Sequence, residues 1–122
     1  MKTLDVVAQA IYDKKGFNIL ALDVRNVSSM TDYVIIAEGN IDRHIKALAA
    51  SIADQLREIG EKPVYVEGEK NGDWIVLDYG AFVIHLFLSD LRDKYSLEEL
   101  WHEAAIVDLK IALDPDQEKK DK

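Results

Sequence analysis

Between Asn40 and Gly60 the residues Ile41, Ile45, Leu48, Ile52, Leu56 and Ile59 recur at three- and four-residue steps. That spacing puts one apolar stripe along a helix, closed by a glycine where a helix end tolerates a left-handed backbone. Short runs rich in branched residues flank it: Asn18 to Val24 and Asp32 to Gly39 before it, and Val64 to Glu67 after Pro63. A striped helix between strands has to lay its apolar face on a sheet, and a strand–helix–strand succession implies one parallel crossover. The chain is therefore expected to be α/β.

The remaining elements follow from local signals. Thr3 is read as the cap of a first helix carrying Leu4, Val7, Ala8 and Ile11 and running to about Lys15, with Gly16 at its C′ position. Asn26, Ser28 and Ser29 mark a loop between the first two strands. The Asn71-Gly72 pair is a hairpin signal. Strands Asp73 to Tyr79 and Ala81 to Leu88 follow, broken by Gly80. Ser96-Leu97-Glu98-Glu99 fits a capping box opening a short helix through Leu100 and Trp101. Val107, Leu109, Ile111 and Leu113 alternate with Asp108, Lys110 and Ala112, which favours a strand over a helix of the same length. The expected order is α-β-β-α-β-β-β-α, a mixed sheet of about five strands with helices packed on it. Residues 1–113 read as one domain and 114–122 as a charged, disordered tail.

Composition narrows the chemistry. A chain of 122 residues buries roughly two-thirds of its unfolded surface, enough for a core without disulfide or metal. Cysteine is absent, which removes disulfides, thiolate nucleophiles, iron–sulfur clusters and cysteine-ligated zinc. His44, His85 and His102 lie far apart and match no metal-site spacing. The net charge is −8, so phosphate backbones repel the chain and a basic partner is favoured. The longest apolar stretches are too short to span a bilayer, and the N-terminal stripe lacks a signal peptide's apolar run. A soluble, cytoplasmic protein is expected, without membrane contact or direct nucleic-acid readout.

No active site stands out. Asp23 and Asp32, at facing ends of the first two strands, are the one carboxylate pair placed to hold a magnesium ion, as a metal-dependent nucleotidyl- or phosphotransferase would require. Strand-end aspartates also serve as turn residues, and the aspartate pair two residues apart that nucleotidyl transfer uses is missing. No phosphate-binding glycine loop or ordered Ser-His-Asp set occurs. His44 and Arg43, at a helix start, read as solvated, and His85 as a half-buried strand histidine. No cofactor and no metal are expected. Strand alternation puts Ile75, Leu77 and Tyr79 on one face and Trp74, Val76 and Asp78 on the other, while Val83, His85 and Phe87 oppose Phe82, Ile84, Leu86 and Leu88. One face suffices for the helices. The other, with Trp74, Val76, Asp78 and His85, reads as an interface, or as a second core beneath more helices.

The segments Asp23 to Asn40, Ile41 to Asp54, Val66 to Phe87 and Leu91 to Trp101 together resemble the bacterial ribosomal silencing factor family, related to Iojap. The resemblance runs from about Leu4 to Trp101. Its most specific pieces are Ser28-Ser29 with Asp32, Gly68 to Trp74, Asp78-x-Gly80, His85, and Tyr95-x-Leu97-Glu98-x-Leu100-Trp101. Ala81 stands where the family commonly carries an acidic residue, and Leu88-Ser89-Asp90 where it often has a proline–acidic pair. The resemblance implies a nucleotidyltransferase-like fold without catalytic carboxylates and a non-enzymatic role. It implies binding to a basic protein of the large ribosomal subunit, the fourteenth of its series, on the intersubunit face. Subunit joining is thereby blocked and translation repressed; homodimers form off the ribosome. On this reading Trp74, Val76, Asp78 and His85 are the partner-binding residues.

Overall fold

A computed structural model describes residues 2–95 and 104–112. The striped segment forms α2, Asp42–Glu58. Ile45, Leu48, Ile52 and Leu56 are fully buried along it, each contributing about 1.5–3 kcal/mol by leaving water. The ends of the stripe differ from expectation. Ile41 and Ile59 are the caps, outside the helix, and both are exposed. Gly60 closes the helix in a left-handed conformation, its N–H on Arg57 O and that of Glu61 on Leu56 O.

The first helix, α1, spans Lys2–Asp13, so Thr3 lies within its first turn instead of capping it. Its C-terminus corrects a second assignment. Lys15, not Gly16, takes the positive φ, at 68°. Gly16 is needed for space: a Cβ there would stand 2.4 Å from Ile11 Cγ2 and 3.1 Å from Leu48 Cδ2. The glycine lets the chain pass between α1 and α2 into the sheet.

The strands are β1 (Phe17–Asp23), β2 (Tyr33–Gly39), β3 (Tyr65–Glu67), β4 (Trp74–Asp78), β5 (Phe82–Leu88) and β6 (Ala105–Ile106), with α3 (Ser89–Tyr95) after β5. They form one mixed sheet in the order β3-β4-β5-β2-β1-β6. The crossover through α2 carries the chain from β2 to β3 at the far edge. Two antiparallel hairpin steps then return it, so β5 lies parallel beside β2, Ile35 opposite Ile84. Helices α1 and α2 cover one face. Their core takes Ile75, Leu77, Tyr79, Phe82, Ile84 and Leu86 from the sheet, the alternation expected.

A helix does follow β5, but it opens at Ser89; the expected capping box and the helix through Trp101 lie outside the described residues, as does the tail 114–122. The strand expected over Val107 to Leu113 lies earlier and is shorter: β6 covers Ala105–Ile106, residues 107–112 form neither strand nor helix, and Leu113 lies outside the described residues. Ala105 and Ile106 pair with Asp23 and Leu22, and Val107 N–H donates to Ala21 O at 2.8 Å. Beyond them the chain crosses α1, where Asp5 Oδ1 accepts the Lys110 N–H at 3.0 Å. Gln9 accepts the Ala112 N–H at 2.7 Å and donates to its carbonyl at 3.2 Å. Val107 and Leu109 pack on the main core. Two side chains one helical turn apart thus act as a makeshift strand edge for this segment.

Candidate functional site

The second sheet face is divided. Over β1, β2 and β5 it carries a small core of Leu22, Val24, Val34, Ile36 and Phe87, against which Leu91 of α3 packs. Arg92 anchors α3 there. Its guanidinium donates to Glu38 Oε2 at 2.9 Å and to the carbonyl of Asn18, and both charged side chains are about nine-tenths buried. Nothing local in the sequence marks this pair; the one signal is a carboxylate, Glu38, ending an otherwise apolar strand.

Over β4 and β5 the face opens. Trp74, Val76, Asp78, Val83 and His85 are half-buried, and all lie opposite α1 and α2. The register sets Trp74 across from Phe87, Val76 from His85 and Asp78 from Val83. So the four residues singled out from sequence, Trp74, Val76, Asp78 and His85, do share one continuous patch. The face is neither bare nor a second full core. Trp74 packs edge-on to the buried Phe87, centroids 5.0 Å apart, and its Nε1–H donates to His85 Nδ1 at 3.2 Å. Burial lowers the His85 pKa to about 4, leaving a neutral imidazole at pH 7. Beside the patch, Trp74, Val76 and Leu91 wall a groove of about 350 Å³ whose rim carries Glu67 and Asp73.

Asp78 holds a local duty as well. Its Oδ1 accepts the Gly80 N–H at 2.8 Å, and Gly80 has φ 84°, so the carboxylate fastens the β4–β5 turn. The turn at the opposite end of β4, between β3 and β4, relies on close approach. A Cβ on Gly68 would lie 1.9 Å from Trp74 O, and one on Gly72 would lie 3.0 Å from Asp42 O and 2.8 Å from Lys46 Cε. The glycines let the loop fold down between Trp74 and the start of α2.

The transferase alternative finds little geometry. Asp23 is bound by Arg25, with Nε 2.9 Å from Oδ1 and Nη2 2.6 Å from Oδ2, and this pairing holds its carboxyl below the usual range. Asp32 is exposed at the start of β2. Among the described residues no three His, Asp or Glu side chains gather as metal ligands. His44 is not solvated as expected: its Nδ1 accepts the Asn40 N–H at 3.0 Å and its Nε2 lies 2.7 Å from Lys14 O. It fastens the β2–α2 turn to the end of α1. No helix among the described residues is long and apolar enough to cross a membrane.

This architecture has solved counterparts. A crystal structure of a protein from Chromobacterium violaceum superposes with a TM-score of 0.81 at 36% identity, covering 83% of this chain and 84% of that one. The class is therefore a mixed α/β domain already known in bacteria, with its two long helices on one side of the sheet. A family model described as "Ribosomal silencing factor during starvation" matches residues 1–122, and the chain belongs to that family. Ribosomal silencing factor RsfS of Bacillus subtilis is 40% identical over 106 residues, which cover 87% of this chain and 90% of that protein. A mouse protein named "Mitochondrial assembly of ribosomal large subunit protein 1" is 29% identical over 101 residues, 80% of this chain and 44% of its own. Regulation of translation through the ribosome follows from the family.

Proposed function

We propose that this chain docks on the large ribosomal subunit through a basic ribosomal protein, the fourteenth of its series, and sterically prevents the small subunit from joining. Translation is repressed as a consequence, without chemistry on any substrate. The observation that carries the reading is the open sheet face, where Trp74 and Val76 present apolar surface beside Asp78, Glu67 and Asp73. An aromatic anchor ringed by polar groups is the usual anatomy of a protein interface, and carboxylates at its rim suit a basic partner. Two further facts support it: the net charge of −8, which disfavours gripping ribosomal RNA directly, and the large-subunit role in the mouse relative's name. Such a protein works in the cytoplasm, and off the ribosome the same face is available to a second copy.

The test is sedimentation with separated subunits, followed by subunit joining. The protein should travel with the large subunit alone, lower the yield of joined ribosomes and inhibit cell-free translation. Trp74→Ala should weaken binding at least thirtyfold, as loss of a 2 kcal/mol anchor does. Because Trp74 also packs on Phe87, this variant is expected to lose about 1–2 kcal/mol of stability as well, which thermal unfolding reads separately. Asp78→Asn is the cleaner charge probe. It removes the charge yet keeps an acceptor for Gly80 N–H, whereas Asp78→Lys would loosen the turn. Unchanged subunit joining at saturating protein would refute the proposal.

A further inference from the structure

Trp74 is held in a particular way on its face. Its indole N–H, a donor only, points to His85 Nδ1 at 3.2 Å. The two ring centroids are 6.1 Å apart at 45°. Phe87 supports both rings: it meets Trp74 edge-on at 5.0 Å and lies within 28° of parallel to His85 at 6.0 Å. Phe87 is itself fully buried among Leu22, Val24, Val34 and Ile36, so it cannot turn without opening that core. The three residues form a rigid sequence, from core to Phe87, to His85, to the exposed side of Trp74. Nδ1 accepts only while the ring carries its proton on Nε2, and burial favours that neutral form.

We propose that His85 is a positioning residue for Trp74, fixing the indole in one orientation so that a partner meets a preformed anchor. The proposal rests on the docking reading of this face, and it changes what His85 does there: it acts through Trp74 and not by touching the partner. A side chain ordered beforehand loses no rotamer freedom at the moment of binding, and affinity rises accordingly.

The experiment compares three full-length proteins: the wild type, His85→Leu, which has no acceptor, and His85→Asn, whose Oδ1 stands where Nδ1 stood. Two quantities are read. One is the indole ¹H–¹⁵N resonance of Trp74, assigned by its loss in Trp74→Phe; the other is affinity for isolated large subunits. His85→Leu should shift and broaden the indole resonance and weaken binding about three- to tenfold. His85→Asn should recover most of both. His85→Phe, which keeps a ring against Phe87 without an acceptor, replaces the leucine variant if that one does not fold. An unmoved indole resonance in His85→Leu overturns the proposal, as does an asparagine variant as impaired as the leucine one. A moved resonance with undiminished binding overturns it too, while leaving docking through Trp74 intact. If the wild type binds no large subunits, the docking reading has failed; the resonance then shows by itself whether His85 holds the indole.

Discussion

Acid should destabilise this protein through His85, and the size of the effect follows from the fold. The imidazole titrates near 6.5 in an unfolded chain and at about 4 in the folded one, because burial in the sheet face penalises its charged form. Between those values the unfolded state binds the extra proton and the native state does not. Stability therefore rises with pH across this window, is fully present above about pH 6.5, and is lost as pH falls toward 4. At about 1.4 kcal/mol for each pH unit, the loss amounts to about 3 kcal/mol, a large part of the 5–15 kcal/mol typical of a domain. Protonation also turns Nδ1 into a donor facing the Trp74 N–H, which adds to the cost. The assay is urea unfolding at several pH values from 7.5 to 4.5, for the wild type and for His85→Asn. Carboxylates titrate in both proteins, so the difference between the two curves isolates the histidine. That difference should be flat above pH 7 and change by 2–3 kcal/mol by pH 4.5. The sequence pI of 4.8 lies inside the window, so the protein must be kept dilute where its net charge vanishes. Parallel curves for the two proteins would refute the argument.

Three other outcomes are expected. Glu38→Ala takes the carboxylate away from a buried guanidinium that still donates to the Asn18 carbonyl and should cost about 2–3 kcal/mol in denaturant unfolding; a cost under 1 kcal/mol would mean that the pair is wet. The Tyr79 hydroxyl is buried without a hydrogen-bond partner among the described residues, and burial raises its pKa; Tyr79→Phe keeps the stack on Phe82 and should be neutral or stabilising by about 1 kcal/mol, so that clear destabilisation would reveal a missed partner. Gln9→Ala removes both bonds to Ala112 and should raise hydrogen exchange at residues 107–112 while leaving β4 and β5 protected; unchanged exchange there would show that apolar packing alone retains the segment.

Periodicity and end signals are local, and what depended on them could be read from the residues. The stripe Ile45, Leu48, Ile52 and Leu56 names the buried face of α2, because a helix repeats every 3.6 residues whatever lies beneath it. Ile75, Leu77 and Tyr79 against Trp74, Val76 and Asp78 names the two faces of β4, because a strand alternates every two. The patch was legible for that reason, while the family was legible from the resemblance of particular segments such as Gly68 to Trp74 and Asp78-x-Gly80. The ends were less so. Ile41 and Ile59 keep the period but fall outside the helix, and Gly16 serves steric approach where a left-handed turn was expected. What only the tertiary structure decided is which distant pieces meet. The insertion of β5 between β4 and β2, the Arg92–Glu38 pair across 54 positions, the clip of His44 on Lys14 and the seat of Ala112 on Gln9 leave no mark within a few residues of either partner. The same holds for Trp74 and His85. Alternation places both on one face, but their hydrogen bond exists because the β4–β5 hairpin closes with a register that sets Val76 opposite His85 and Trp74 opposite Phe87. That register depends on the Gly80 turn and on two buried faces packing at once, and a one-residue slip would exchange those faces.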